Sequence, residues 1–238
     1  MGKQGADAVI DVVMPALNEE GAIGRVLADI PWGMVRRVVV ADNGSTDGTA
    51  RVAREGGAEV VAAPRRGYGS ACLAALAHIR SDPPDIVVFL DADYSDHPQE
   101  LPEVAGPILS GEKDMVIGSR LRGRHEPGAL MPVAVFGNWL SCTLIRWIYG
   151  VEFTDLGPFR AIRWSSLELL KMKDPNFGWT VEMQVKAAKA GLRCAEVPVS
   201  YRKRVGVSKI SGTVKGSFLA GEKILVTIFR EAMTKEIL

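Results

Sequence analysis

Cysteine and histidine are scarce in this chain, three of each among 238 residues. Cys72, Cys142 and Cys194 are odd in number, widely spaced and form no Cys-x-x-Cys. That excludes a disulfide frame and a structural zinc site, and it points to a reducing, cytoplasmic compartment. His78, His97 and His125 have no metal spacing with one another or with cysteine. Neither sign of charge dominates: 29 Lys and Arg face 28 Asp and Glu, for a net charge of +1. No global field therefore favours nucleic acid as a partner. Met1–Asp7 has no apolar core of signal-peptide length. No apolar run is long enough for a membrane span. The nearest, Ala129–Ile145, has about 17 uncharged residues against the roughly 20 required. Pro132, Gly137 and Asn138 interrupt it, so a buried or interfacial helix is expected there.

Several phosphate motifs are missing as well. A dinucleotide fold would place Gly-x-Gly-x-x-Gly after the first strand, where Met14-Pro-Ala-Leu-Asn-Glu-Glu20 stands instead. Gly67-Tyr-Gly69-Ser-Ala-Cys72 is a partial match without the third glycine. Gly-Lys-Ser/Thr and Gly-x-Ser-x-Gly do not occur. A dehydrogenase, a P-loop enzyme and an α/β-hydrolase are thereby set aside, and a nucleotidyltransferase lacks its glycine- and lysine-rich loop near the start.

What is present is an alternation. Val9–Met14, Arg37–Ala41, Ala58–Ala62, Ile86–Leu90 and Met115–Ile117 read as strands. Helical segments lie between them at Ala22–Ala28, Thr49–Glu55, Ser70–Ile79 and Leu101–Leu109. Such a chain builds an α/β domain with a mainly parallel central sheet and helices on both faces. Further on, helices are expected at Val135–Ile148, Thr180–Ala190 and Gly216–Met233, and strands at Phe159–Arg163 and Arg193–Val199. Residues 1–212 are read as one domain, and 213–238 as an amphipathic helix on that domain or at a membrane surface.

Three polar loops follow strands: Pro15-Ala-Leu-Asn-Glu19, Asp42-Asn-Gly-Ser-Thr-Asp47 and Asp91-Ala-Asp93. At the C-terminal edge of a parallel sheet they would line one crevice. Asp-x-Asp alone reads as readily as a solvated acidic loop, and Asn-Gly is a common turn. Two carboxylates this close nevertheless repel unless a cation or donors compensate them, and Mg²⁺ or Mn²⁺ takes such oxygens together with phosphates.

With these loops, the segments Arg66-Gly-Tyr-Gly-Ser-Ala71, Gly118-Ser-Arg120, Asp155-Leu-Gly-Pro-Phe-Arg160 and Arg204-Val-Gly-Val-Ser-Lys209 make the chain resemble family 2 glycosyltransferases of the GT-A fold. Within that family it is most similar to the dolichyl- and polyprenyl-phosphate sugar synthases. The resemblance implies a UDP- or GDP-hexose donor held by Pro15, Leu17, Glu19, Asp42, Gly67, Asp91, Ala92 and Asp93, with Asp42 accepting from a base N–H. It implies Mg²⁺ or Mn²⁺ on Asp91 and Asp93, where the cation neutralises charge on the departing nucleoside diphosphate. Many lipid-phosphate members carry Gln as a further metal contact where this chain has the shorter Ser95. The implied catalytic residues are Asp93, Arg120 and Asp155.

On the acceptor side, Arg120, Arg202, Arg204, Ser208 and Lys209 match positions used around phosphates, as an arginine fork suits. Taken singly, each basic residue also fits a solvated surface. Asp155 is open to two roles. A hydroxyl acceptor needs it as general base, whereas an ionised lipid phosphate needs none, and Asp155 would then position the sugar or hold an arginine. Leu130, Val133, Phe136, Trp139 and Trp147 suit an apolar wall beside a polyprenyl phosphate, and equally a core or homo-oligomer contact. A lipid acceptor implies peripheral membrane contact or a membrane partner, at the cytoplasmic face. The expected activity is inverting hexose transfer to a polyprenyl phosphate. The alternatives are transfer to a hydroxyl and a non-catalytic nucleotide-sugar-binding module.

Overall fold

The computed structural model describes residues 8–206 and 214–234, with backbone alone over 214–220. Among these residues, seven strands form one sheet: β1 Ile10–Ala16, β2 Arg37–Asp42, β3 Glu59–Ala62, β4 Ile86–Phe89, β5 Met115–Ser119, β6 Arg160–Arg163 and β7 Cys194–Pro198. Their order is β3-β2-β1-β4-β6-β5-β7. All pairings are parallel except those of β6, which runs antiparallel to both β4 and β5. The expected mainly parallel sheet is present, and its one reversed strand was not legible beforehand.

Among the described residues, eight α-helices cover the two faces: α1 Glu20–Ala28, α2 Thr49–Glu55, α3 Tyr68–Ile79, α4 Leu101–Leu109, α5 Pro132–Tyr149, α6 Trp164–Leu170, α7 Trp179–Lys189 and α8 Val214–Met233. A 3₁₀ turn spans Pro98–Glu100. Side chains alternate across each strand. On β2, Val39 and Ala41 join one core with α3, α5 and α7, while Val38 and Val40 join the other with α1 and α4. Strands buried on both faces need apolar residues at every position, which is why β2 and β4 read as unbroken runs.

Helix α5 starts with Pro132 in its first turn and ends at Gly150, whose φ of 72° lets its N–H reach the Arg146 carbonyl at 2.9 Å. Helix α6 follows β6 without a turn signal, so the sequence pattern did not reveal it. Helix α8 packs on α5 and α7: Tyr149 Oη donates to the Ile228 carbonyl at 2.8 Å, and Lys189 Nζ to the Glu231 carbonyl at 2.8 Å. The expected boundary at residue 212 lies outside the described residues, as do Ser208 and Lys209. Among the described residues no helix is long and apolar enough to cross a membrane.

Candidate active site

The parallel register pairs Ala16 with Asp42 and Val13 with Phe89, so β1, β2 and β4 end on one edge of the sheet. The three polar loops leave from that edge. Asn18 and Tyr94, one in the first loop and one beside Asp93, hold φ values of 53° and 64°. Non-glycine residues adopt this left-handed region at a cost that the surrounding structure must offset. Here the offset is visible. Asn18 Oδ1 accepts from Thr46 N–H at 2.8 Å, and Tyr94 Oη donates to Asp29 at 3.0 Å under the Arg202 guanidinium.

A cavity of about 310 Å³ opens at this edge. Pro15, Leu17, Glu19, Gly67, Asp91, Ala92 and Asp93 all line it, together with Asn43, Arg66, Tyr68, Asn176, Phe177 and Arg204. Asp42 is not part of the lining; its Oδ1 accepts from Ser45 N–H at 2.9 Å and closes the turn. Its neighbour Asn43 does the joining instead. Asn43 Nδ2 donates to the carbonyls of Ala63 and Arg65, and its Oδ1 accepts from Gly67 N–H at 2.8 Å. Gly67 has a φ of 130°, and a Cβ there would collide with Pro175 and Asn176. Glycine at this point lets the α6–α7 connection close over the start of α3 and bring Asn176 and Phe177 to the cavity.

The carboxylates at the cavity end are crowded. Burial, then the charge of Asp93, pushes Asp91 up to about 7, although Tyr68 Oη donates to it at 3.0 Å. Asp93 is buried; its Oδ1 accepts from Ser95 N–H at 2.9 Å and Ser95 Oγ at 2.5 Å. Serine thus orients Asp93. Asp96, also buried, has no hydrogen-bond donor on either side-chain oxygen among the described residues. Burial and the charges of Asp91 and Asp93 hold it well above the ordinary carboxylate range.

Arg204 answers part of this charge. Its Nη2 lies 3.1 Å from both Glu19 Oε1 and Asp93 Oδ2. Expected around an acceptor phosphate, it lines the cavity, and its neighbour Val205 N–H bonds the Asp93 carbonyl at 2.9 Å. Arg202, also expected around an acceptor phosphate, has protein partners of its own. It stacks 3.5 Å over the Tyr94 ring and donates to the Asp96 carbonyl at 2.9 Å. Hard oxygens on two adjacent carboxylates, already matched by a cation from the protein, suit a hard divalent ion.

Arg120 and Asp155 form a second, separate pair. Arg120 Nε and Nη2 meet Asp155 Oδ2 and Oδ1 at 2.8 and 2.7 Å, and Arg120 N–H adds a third bond at 2.8 Å. Asp155 is 1% exposed. Burial works against the Arg120 charge, but the Asp155 carboxylate raises its pKa above the ordinary value. Glu196 accepts from the backbone N–H groups of Thr154 and Asp155, and Asn138 of α5 from Leu156 N–H, so the loop itself is clamped. Arg160, pushed down to about 10 by burial, donates to the carbonyls of Leu156 and Gly157. A carboxylate so enclosed holds an arginine.

A cavity at the C-terminal edge of a mainly parallel sheet, ending in paired carboxylates and arginine, is where open α/β folds bind ligands. Residues 11–170 match the glycosyl transferase family 2 model, and the chain belongs to that family. An uncharacterized glycosyltransferase of Mycobacterium tuberculosis is 39% identical over 218 residues, 90% of this chain and 95% of that protein. A dolichyl-phosphate hexose transferase of Haloferax volcanii is 34% identical, covering 93% and 95%. Among solved structures, M. tuberculosis glucosyl-3-phosphoglycerate synthase with Mn²⁺, UDP-glucose and phosphoglyceric acid aligns with a TM-score of 0.74. That likeness has 27% identity and covers 94% of this chain and 80% of that one. The protein is therefore a nucleotide-sugar glycosyltransferase of GT-A fold.

Of the residues that line or build this site, sequence reasoning had not singled out Asn43, Tyr68, Asp96, Asn176, Phe177 or Glu196. Asn43 sat inside a quoted motif but read as turn chemistry. Glu196 and Asn176 carry no local signal, since only the fold brings them to the site.

Proposed function

We propose that the protein transfers a hexose, with inversion, from a UDP- or GDP-sugar to a polyprenyl phosphate. The observation that carries this reading is the closed Arg120–Asp155 pair. An acceptor hydroxyl would need a base at Asp155, whose two oxygens are taken by Arg120. A phosphate nucleophile is already ionised and needs none. The donor would lie in the cavity with its base toward Pro15, Leu17 and Asn43 and its diphosphate toward Asp91, Asp93 and Arg204. Mg²⁺ or Mn²⁺ on Asp91 and Asp93, when bound, offsets charge on the leaving diphosphate. Arg204 adds a donor to the same group, Asp155 fixes Arg120 toward the acceptor side, and the ring of Tyr201 lies 5.0 Å from that guanidinium.

Helix α5 supports a lipid acceptor. Phe136, Trp139 and Trp147 are 60%, 58% and 79% exposed, and Asn138 of the same helix braces the loop that holds Asp155. Apolar aromatic side chains on a helix next to an anion site suit a membrane surface. The likeness to a dolichyl-phosphate hexose transferase points the same way.

The test is release of UDP or GDP from a donor panel with polyprenyl phosphate, with 3-phosphoglycerate, and with neither. Turnover that rises only with the lipid supports the reading. Turnover only with the small hydroxyl acceptor overturns it and returns Asp155 to consideration as base.

A further inference from the structure

The hold of Arg204 on the acidic end of the cavity is poorly built for permanence. One nitrogen, Nη2, is shared between Glu19 Oε1 and Asp93 Oδ2 at 3.1 Å each, rather than two nitrogens meeting one carboxylate as a fork. Its Nε is buried without a hydrogen-bond partner among the described residues. An arginine placed as a point charge, with an unsatisfied donor, is one that a stronger ligand can displace. It also lines the cavity, where a diphosphate would offer paired oxygens to its planar guanidinium.

From this geometry we infer that Arg204 stands in for the divalent cation in the ligand-free protein, so that metal binds Asp93 only together with the nucleotide-sugar. Metal alone must expel Arg204 from Asp93 and leave Glu19 as the carboxylate that answers its charge. A donor diphosphate supplies a second partner in place of Asp93. Arg204 would then exchange Asp93 for phosphate oxygens, which would free the Asp93 carboxylate to hold the cation. Metal and donor thereby become coupled ligands, each raising the affinity for the other by the same factor. The backbone does not have to rearrange, since Val205 N–H and Arg202 N–H remain tied to the Asp93 and Ser95 carbonyls at 2.9 Å. The inference rests on the reading of Asp91 and Asp93 as the metal site.

Mn²⁺ titration of the full chain, followed by loss of the free-ion paramagnetic resonance signal, tests it. Wild type and Arg204→Gln are compared without nucleotide, with UDP and with GDP, after circular dichroism confirms that the variant folds. Without nucleotide, Arg204→Gln should bind Mn²⁺ at least ~5-fold tighter than wild type, the low end of usual coupling factors. With the nucleoside diphosphate that binds, wild type should gain Mn²⁺ affinity and the variant should gain less. Equal Mn²⁺ affinity of the two proteins without nucleotide overturns the inference while leaving the metal site standing. Absence of Mn²⁺ binding to either protein under every condition removes the metal reading itself, and the inference with it.

Discussion

The site contains two arginine–carboxylate arrangements that differ in kind. Arg120 and Asp155 meet through two parallel bonds plus a backbone N–H, inside a clamp made by Glu196, Asn138 and Gln184. Arg204 touches Glu19 and Asp93 through one nitrogen, while Asp91 and Asp96 nearby are held protonated more readily than ordinary carboxylates. The first arrangement satisfies its charges within the protein. The second leaves negative charge for something else to answer. A closed pair preorganises its own arginine, and an open one is a place for ligands that carry positive charge or bring it with them.

The sharpest way to break that contrast is at the closed pair. Arg120→Ala strands a buried carboxylate, which should cost about 3–5 kcal/mol of stability in urea denaturation. Asp155→Asn should be milder and should raise the apparent acceptor constant while keeping measurable turnover. A fall of roughly 10²–10⁴-fold in rate, with donor affinity intact, would instead mark Asp155 as a general base. At the open end, Asp93→Asn should leave the melting temperature near wild type yet lower turnover roughly 10²–10³-fold, the usual worth of a charge-stabilising group. Excess chelator should do the same to wild type, and added Mg²⁺ or Mn²⁺ should restore it.

Smaller effects separate Asn43 from Asp42. Asn43→Ala removes three hydrogen bonds, with Ala63, Arg65 and Gly67, and should weaken nucleoside diphosphate binding by about 1–3 kcal/mol in calorimetry. Asp42→Ala should match it only if Asp42 turns from Ser45 toward the base; an unchanged affinity would leave Asp42 as a turn residue. The smallest effect is in pH. Asp91 has a folded-state pKa of about 7 against an ordinary 3.8, so the native state binds the extra proton between them. Stability without metal or nucleotide should therefore fall as pH rises from about 4 to 7, by at most a few kcal/mol. Asp96, raised by burial, contributes in the same direction. Thermal melts across that window check it, and metal with nucleotide should flatten the slope.

Much of this was legible in the chain. Runs such as Arg37–Ala41 and Ile86–Leu90, separated by helical periods, determined the mainly parallel sheet, because strands covered on both faces must be apolar throughout. The polar loops after those strands determined where the crevice lies, since parallel strands end on a common edge. Seven of the eight donor-side residues named from sequence line the cavity, and Asp42 does not. The tertiary structure alone decided what the charges do. Arg204 and Asp93 are far apart in sequence, as are Asp155, Glu196 and Arg120, and no local pattern records which carboxylate an arginine will meet. Reversal of β6 and the path of the Tyr201–Gly206 segment put Arg204 among the donor-side carboxylates and sealed Asp155 behind Arg120. Pairing in a buried site depends on ångström-scale approach and the desolvation that comes with it, and only the folded chain sets both.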